Sequence, residues 1–146
     1  MRTAKERQDD TLYKLLHERD VWVATADASG RAHLVPFSLV WDGEHIIAAT
    51  EILSRTIKNI RVSGQARLAI GDTRDVVIIE VQIKIMPLES ASTEMGDLFL
   101  KRTGWHPRDA QREAYLLMTP IIIQAWKNEE ELHGRTIMKD GIWIDS

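Results

Sequence analysis

The sequence predicts a mainly β fold, namely a closed or nearly closed antiparallel barrel with peripheral helices. Short apolar runs separated by turn residues recur through the 146 residues, and each run is the length of a single strand. One run, Ile79–Ile85, alternates strictly between apolar and polar residues. This alternation is typical of an antiparallel strand with one solvated face. Closure into a barrel buries such strands without leaving exposed edges.

The first half of the chain is predicted to contain one helix and three strands, followed by a second helix. Leu53, Ile57 and Ile60 follow helical spacing and place the second helix at residues 53–63. Asp42-Gly43 indicates a two-residue hairpin between the second and third strands, which completes a three-stranded meander. The first four elements are expected at residues 3–18 (helix) and at Val21–Ala26, Ala32–Trp41 and Glu44–Thr50 (strands).

The second half is predicted to be mainly strands with one connecting helix at residues 90–102. Pro120 lies within a predicted strand and indicates a bulge or an edge there. Asp140-Gly141 predicts a small terminal hairpin that leads into Ile142. The strands are expected at Gln65–Gly71, Ile79–Ile85 and Tyr115–Trp126. The length fits one domain over residues 1–146.

Composition and charge exclude several classes of function. The net charge of −3 disfavours a general nucleic-acid binder, whose surface needs a basic surplus. The absence of cysteine excludes a thiol nucleophile and thiolate metal ligation. The longest apolar runs are far shorter than the roughly 20 residues of a membrane-spanning helix, so we expect no membrane partner and a cytoplasmic location. Five of the nine aromatic residues are tryptophan.

The motifs of several enzyme classes are missing. The sequence lacks a dinucleotide-binding fingerprint, a P-loop and a nucleophile elbow, and its five histidines lack metal-ligand spacing. The acidic run Glu129–Glu131 is interpreted as a solvated loop. We therefore expect no catalytic side chains and no metal site. If the protein is an enzyme, a bound cofactor supplies its chemistry.

The segment Thr50–Ile60 is the strongest candidate binding site, because it enters a helix directly from a strand. Ser54 can cap this helix, whose first N–H groups lie at the positive end of the helix dipole. Arg55 and Lys58 are three residues apart and lie on one face. Together these groups predict a phosphate pocket. The alternative is a capped surface helix that carries basic residues without a ligand.

These segments, taken together, resemble the pyridoxamine 5′-phosphate oxidase-like, flavin-binding split-barrel family. Within this family the chain is most similar to the actinobacterial branch of deazaflavin (coenzyme F-420)-dependent reductases. The resemblance covers nearly the whole chain and rests on the order and spacing of its segments. They are Val21–Ala26 with the turn to Gly30, His33–Phe37, Trp41–Gly43, Ser54–Ile60, Gln124–Lys127, Glu131-Leu132 and Gly134–Thr136.

The resemblance implies an FMN-binding split barrel that holds the cofactor phosphate at the start of the second helix. Ser54 and Arg55 would bind the phosphate, with Lys58 and Asn59 assisting. Thr56 stands where many flavin oxidases have lysine. A hydroxyl in place of a charge implies a weaker hold on the phosphate. The resemblance therefore favours coenzyme F-420 as the cofactor, with FMN as the alternative.

The remaining candidate residues are placed around the cofactor ring. The resemblance puts Val35, Pro36 and Phe37 on the strand along which the ring lies, and Thr50 at the strand end beside the ring and its ribityl chain. Among the tryptophans, Trp105 in a polar loop and Trp126 at a strand end are candidate walls of the ring pocket or purely structural residues. Trp22 and Trp41 are expected in core or dimer packing, and Trp143 as an apolar cover.

The function implied is that of a flavin- or deazaflavin-dependent oxidoreductase. Its reduced ring would pass a hydride to an unsaturated small organic molecule, and the protein would supply no general base. The resemblance also implies a homodimer with cofactor sites at its interface. Two alternatives remain. The first is a non-catalytic flavin- or tetrapyrrole-binding module of the same fold. The second is a dimeric scaffold that has lost its binding pocket.

Overall fold

A computed structural model describes residues 1–144, which form three α-helices, two short 3-10 turns and nine strands. The helices are α1 (Ala4–His17), α2 (Arg55–Ser63) and α3 (Thr93–Thr103). The strands are β1 (Asp20–Ala26), β2 (Ala32–Ser38), β3 (Val40–Trp41), β4 (Ile46–Glu51), β5 (Gln65–Asp72), β6 (Asp75–Pro87), β7 (Glu113–Trp126), β8 (Thr136–Lys139) and β9 (Ile142–Trp143).

The strands form one antiparallel sheet that curls into a split barrel. Its order is β2-β1-β5-β6-β7-β4-β3, with β8 and β9 added beside β7. The two ends of this order, β2 and β3, are consecutive pieces of chain separated only by the buried Leu39. The sheet therefore nearly closes on itself, and the predicted fold class is confirmed. The main core lies inside the barrel, where Val23, Leu68, Ile79 and Leu116 are fully buried.

The predicted strand Ala32–Trp41 is divided by Leu39. The Leu39 N–H donates to the carbonyl oxygen of Arg19 (2.9 Å) instead of to a strand partner. As a result β2 pairs with β1 only, while the two-residue β3 pairs with β4. The prediction of a simple three-stranded meander is wrong, because the long neighbour of β4 is β7.

The predicted two-residue turn at Asp42-Gly43 is wrong. The loop between β3 and β4 has four residues, 42–45, because Trp41 pairs with Ile46. Within it Asp42 Oδ1 accepts hydrogen bonds from the N–H groups of Glu44 (2.8 Å) and His45 (2.5 Å). A carboxylate that binds the following backbone stabilises the wider turn. The third strand therefore begins at Ile46 rather than at Glu44.

The bulge predicted at Pro120 is confirmed. Along the β6–β7 ladder Glu80 faces Ile122 while Val81 faces Pro120, so Ile121 is the extra residue. Proline has no N–H to donate, which suits a position where the ladder is interrupted. The Ile121 carbonyl oxygen instead accepts the N–H of Gly141 (2.8 Å) in the terminal hairpin.

The terminal hairpin is also confirmed. Lys139 pairs with Ile142 across a two-residue turn, in which Asp140 (φ 53°) and Gly141 (φ 76°) both have positive φ. Positive φ at both central positions defines the turn type that Asp-Gly favours.

The start of the chain is attached to the barrel by a buried ion pair that the sequence did not predict. Arg2 Nη2 donates to Glu131 Oε1 (2.7 Å) and Arg2 Nε to Oε2 (3.1 Å), while the N–H of Lys127 also donates to Oε1 (2.8 Å). Glu131 is only 1% exposed, so interpreting the whole acidic run as a solvated loop is wrong for this residue. The hydrogen bond from Arg2 lowers the pKa of Glu131 to about 2.

Among the tryptophans, Trp41 and Trp143 are partly buried and pack against the main core. Trp22 is 50% exposed, so it does not belong to the core. Within residues 1–144 the longest helix has 14 residues and ends at His17, and none is long and apolar enough to cross a bilayer.

Candidate functional site

The turn between β1 and β2 is built around Asp27. Asp27 Oδ1 accepts hydrogen bonds from the N–H groups of Ser29 and Arg31, both at 2.9 Å. Gly30 takes the positive φ (81°) that the turn needs. Such a turn is specified by its own aspartate and glycine. It places Arg31 at the entry to β2.

The start of α2 is fixed by a side-chain cap. Ser54 Oγ accepts the N–H of Ile57 (3.2 Å), and the extended backbone of Ser54 (φ −66°, ψ 154°) is that of an N-cap residue. The capping role predicted for Ser54 is confirmed. Thr56, Ile57, Asn59 and Ile60 form the buried side of the helix.

A buried polar contact joins α2 to β1. Asn59 Nδ2 donates to Thr25 Oγ1 at 3.0 Å, and the two residues are 2% and 6% exposed. Buried polar groups are costly unless they are paired, so this bond defines how α2 lies against the β1–β2 hairpin. Because of this contact the first turn of α2 lies next to the turn at Asp27.

The two segments together enclose a cavity of about 300 Å³, which we call the basic cavity. Two guanidinium side chains, Arg31 and Arg55, line it together with His33. Guanidinium groups donate paired hydrogen bonds that match phosphate oxygens, so this donor set fits a phosphate. The lining residues are Asp27, Arg31, Ala32, His33, Arg55 and Asn59.

The basic cavity also contains one acidic group. Hydrogen bonds from the backbone N–H groups of Arg31 and Ser29, together with the charges of Arg31 and Arg55, lower the pKa of Asp27. Its carboxylate is therefore ionised at neutral pH. The arginine and aspartate side chains of the cavity therefore carry two positive charges and one negative charge.

A larger groove adjoins the basic cavity. It has a volume of about 530 Å³ and shares Asp27 and Ala32 with the basic cavity as common walls. We call it the alanine groove, because four of its lining residues are alanine. Its walls include Ala24, Ala26, Ala32, Val62, Ala66 and Val81.

The structure brings part of the predicted phosphate site together. Arg55 and Asn59 line the basic cavity, whereas Lys58 is exposed and does not line it. Ser54 Oγ is engaged in the cap. The Thr56 side chain is only 2% exposed and belongs to the buried side of α2.

The predicted ring residues on β2 point to two different faces. Val35 and Phe37 are half-buried, and Phe37 packs against the main core. Pro36 is exposed on the opposite face, where it lines a separate cavity with Trp22. Thr50 is half-buried near the end of β4, opposite Ala114 and just before α2.

The two candidate tryptophans lie outside the basic cavity. Trp105 is 43% exposed and packs edge-to-face on Phe99, with ring centroids 5.9 Å apart. Trp126 is half-buried at the end of β7, and the guanidinium of Arg135 lies 5.5 Å from its ring centroid.

Three polar residues of the basic cavity were missed by sequence reasoning: Asp27, Arg31 and His33. The sequence does contain a pattern that could have indicated them. An aspartate in a turn, followed by a basic residue and a histidine in the next strand, is typical of a polar site at the start of that strand. The sequence did not show that these residues lie close to Arg55 in the folded chain. Within the described part of the chain, no group of three or more acidic or histidine residues is arranged to hold a metal ion.

Comparison with known proteins gives the following similarities. The sequence profile of the pyridoxamine 5′-phosphate oxidase family matches residues 9–133. No curated protein matches the chain. Among solved structures, an F-420 reductase superposes with a TM-score of 0.62 at 16% identity, covering 76% of this chain and 93% of its own.

Two further solved structures have a similar fold. An FAD-binding protein from Mesorhizobium loti gives a TM-score of 0.63 at 15% identity, covering 80% of this chain and 89% of its own. The haem storage protein HutZ from Vibrio cholerae gives a TM-score of 0.59 at 16% identity, and the match covers 78% of this chain and 89% of HutZ. These likenesses show a shared split-barrel fold.

Proposed function

The chain belongs to the pyridoxamine 5′-phosphate oxidase family, and from this premise we propose that it is a deazaflavin- or flavin-dependent oxidoreductase. The basic cavity is the observation that supports the proposal most directly, because two arginines, Arg31 and Arg55, line it and guanidinium groups suit a phosphate. When bound, the reduced ring supplies a hydride to an unsaturated organic substrate.

The residues of the chain bind and orient the cofactor in this proposal. Arg55 and Arg31 hold the phosphate, and the Asn59–Thr25 hydrogen bond keeps α2 in place beside it. Val35 and Phe37 of β2 form a half-buried apolar surface that would lie along the ring. Such a surface excludes water from one side of the ring. No general base of the protein takes part.

Coenzyme F-420 is the proposed cofactor and FMN the alternative. Coenzyme F-420 is supported by the fold shared with an F-420 reductase. We also propose that the chain is a member of the actinobacterial branch of F-420-dependent reductases. The second candidate function is a non-catalytic binding module. It is favoured by the fold shared with a haem storage protein.

A binding titration tests the proposal. Purified protein is titrated with coenzyme F-420 and with FMN at low and high salt, and quenching of its tryptophan fluorescence is followed. We expect saturable binding, tighter for coenzyme F-420 and weaker at high salt, because charged groups hold the phosphate. The oxidoreductase proposal fails if neither cofactor binds. FMN that co-purifies as a yellow protein would reverse the cofactor preference, and haem binding alone would favour the binding module.

We also propose that two copies of the chain associate through the outer face of β2, β1 and β5. Trp22 (50% exposed) lies opposite Pro36 and Ala69 on this face, and Leu34 (59% exposed) lies opposite Ala24. Exposed apolar side chains grouped on one sheet face are typical of an interaction surface.

Sedimentation velocity tests this association. We expect the wild-type chain to sediment as a dimer and Trp22→Lys as a monomer, because a lysine charge at the centre of an apolar interface is costly to bury. Tyr13→Lys is the matched control, since Tyr13 is also an exposed aromatic residue (64%) but lies on α1. A monomeric wild-type chain, or a Trp22→Lys chain that remains dimeric, would contradict the proposal.

A further inference from the structure

The outer face of the sheet continues from β1 across β5, β6 and β7 to β8. Residues directly opposite each other in antiparallel strands point to the same face of a sheet. Trp22 points outward, since its neighbours Val21 and Val23 are buried and Trp22 itself is exposed. The residues paired with it in succession across the strands therefore also lie on the outer face. This row is Trp22, Ala69, Ile78, Gln124 and Thr136.

One end of the row lies in a pocket of about 440 Å³, which we call the Trp22 pocket. Trp22 and Ala69 line it. Its charged lining residues are three exposed acids, Glu18, Asp20 and Asp72. In the part of the chain that the structure describes, none of the three takes part in an ion pair. This end of the face therefore carries three uncompensated negative charges.

The other end of the row lies in a second pocket of about 400 Å³, which we call the Arg135 pocket. Its charged lining residues are Arg67, Glu80, Arg135 and Lys139. Arg67 is paired with Glu80. Arg135 and Lys139 belong to none of the ion pairs formed among the described residues. This end of the face therefore carries two uncompensated positive charges.

The two charged ends are too far apart to neutralise each other. Trp22 and Gln124 are separated by three strand spacings, which is roughly 14 Å along the sheet. This exceeds the screening length of about 8 Å at physiological ionic strength. The half-buried Ile78 lies between the two ends on the same row. The outer face is thus an apolar surface with an acidic end and a basic end.

A two-fold axis can pair this face with the same face of a second copy in two ways. In one, each end meets the same end of the partner, so three carboxylates lie against three carboxylates. In the other, each end meets the opposite end, so the carboxylates lie against Arg135 and Lys139 of the partner subunit. Both satisfy the symmetry of a closed dimer. Like charges placed against one another disfavour an interface, whereas opposite charges favour it.

We propose that the Trp22 pocket of each copy lies against the Arg135 pocket of the other in the dimer. The orientation of the two copies is then fixed by pairing of the three acids with the two cations. This inference rests on the association proposed above and adds the orientation of the two copies. Each Trp22 pocket is complete only in the dimer, because the cations that neutralise it come from the second copy.

The salt dependence of the wild-type dimer tests the orientation without any variant. We expect its dissociation constant, measured by sedimentation equilibrium, to rise roughly tenfold between about 0.05 and about 0.5 M NaCl, because salt screens the attraction between opposite ends. A dissociation constant that is unchanged or falls as salt is added would contradict the proposal, since salt relieves repulsion between like ends.

Charge reversal at one end of the face is the second test. The acid-reversed variant carries Glu18→Lys and Asp20→Lys, and the base-reversed variant carries Arg135→Glu and Lys139→Glu. We expect each variant alone to dimerise at least roughly 30-fold more weakly than wild type, because like charges then meet at both contacts. An equimolar mixture of the two is expected to form a mixed dimer with nearly wild-type affinity, since each contact again joins opposite charges. Native mass spectrometry identifies the mixed dimer.

Two control variants change the net charge by the same amounts at exposed positions on α1 and α3. These helices contribute no residue to either pocket. We expect each control to change the dissociation constant less than about threefold, as is usual for isolated surface charges. A urea midpoint close to that of wild type shows that a variant is folded, and the salt series decides alone if one is not. The controls are Asp9→Lys with Asp97→Lys, and Lys5→Glu with Lys101→Glu.

The outcomes separate the orientation from the association itself. If reversal of either end has no more effect than its control, or if the mixture does not restore the dimer, the proposed orientation is wrong while the association stands. A wild-type chain that remains monomeric at every salt concentration would overturn the association. Neither result alters the cofactor titration, which tests the oxidoreductase proposal separately.

Discussion

Replacing Arg55 with alanine is expected to raise the dissociation constant of the cofactor roughly 10- to 100-fold. The range corresponds to the loss of charge-assisted hydrogen bonds to a phosphate. Arg55 lines the basic cavity and is exposed on the first turn of α2. Its removal deletes a ligand contact without disturbing the buried side of the helix. The readout is the same fluorescence titration, at low and high salt.

Lys58→Ala is the matched control for Arg55→Ala. Lys58 has the same sign of charge, lies on the same helix one turn further on, and is exposed outside the basic cavity. We expect its loss to change the dissociation constant less than about threefold, which is the range of a screened surface charge. Equal effects of the two variants would mean that only the general charge of α2 matters, and the phosphate assignment would be wrong.

Replacing Glu131 with glutamine is expected to lower the free energy of unfolding by about 2 kcal/mol, because it removes the most buried of the three carboxylates that pair with Arg2 and leaves only Asp10 and Asp75. Glu131 accepts four hydrogen bonds, from Arg2 N, Nε and Nη2 and from Lys127 N. Total stability is typically 5–15 kcal/mol for such a protein. The loss should therefore be evident as a lower urea midpoint at pH 7.

Glu130→Gln is the control for the loss of a neighbouring charge. The Glu130 side chain is 71% exposed and lies 3.7 Å from the amino-terminal nitrogen, so its replacement should change stability by less than about 0.5 kcal/mol. If Glu130→Gln and Glu131→Gln destabilise the protein equally, the burial of Glu131 does not explain the effect.

The same ion pair predicts how stability depends on pH. The folded-state pKa of Glu131 is about 2, below the ordinary value of 4.5. A lowered pKa stabilises the fold fully above the unfolded value, and this contribution disappears as the pH falls towards 2. We expect the difference in unfolding free energy between wild type and Glu131→Gln to decrease progressively from pH 5 to pH 2. A difference that is constant over this range would show that Glu131 is not held as a carboxylate.

The elements that the sequence predicted correctly depend on contacts between residues close in the chain. The cap at Ser54 joins residues three apart, and the turn at Asp140-Gly141 is a matter of backbone φ at two positions. The bulge at Pro120 follows from a missing N–H. Each of these is a property of a short segment. The alternation of apolar and polar residues in β6 is likewise local, because one face of this strand is directed to the core and the other to solvent.

The errors in the predicted fold arose where a distant partner changed a local preference. Leu39 interrupts the predicted strand because its N–H finds the carbonyl oxygen of Arg19. Glu131 is buried because Arg2, 129 residues away in sequence, neutralises it. An acidic residue in a polar run is normally solvated. The residues next to Glu131 in the sequence do not indicate that Arg2 will pair with it.

The candidate site shows the same division. The sequence alone determined the antiparallel barrel, the capped basic helix and the absence of thiol chemistry, because strand periodicity, capping and composition are local or additive properties. Only the tertiary structure decided that Arg31 and His33 join Arg55, that Lys58 does not, and that Asp27 lies among them. The physical reason is that the site forms where β1 meets α2, through a hydrogen bond between Thr25 and Asn59, 34 residues apart. Such a contact exists only once the barrel has closed.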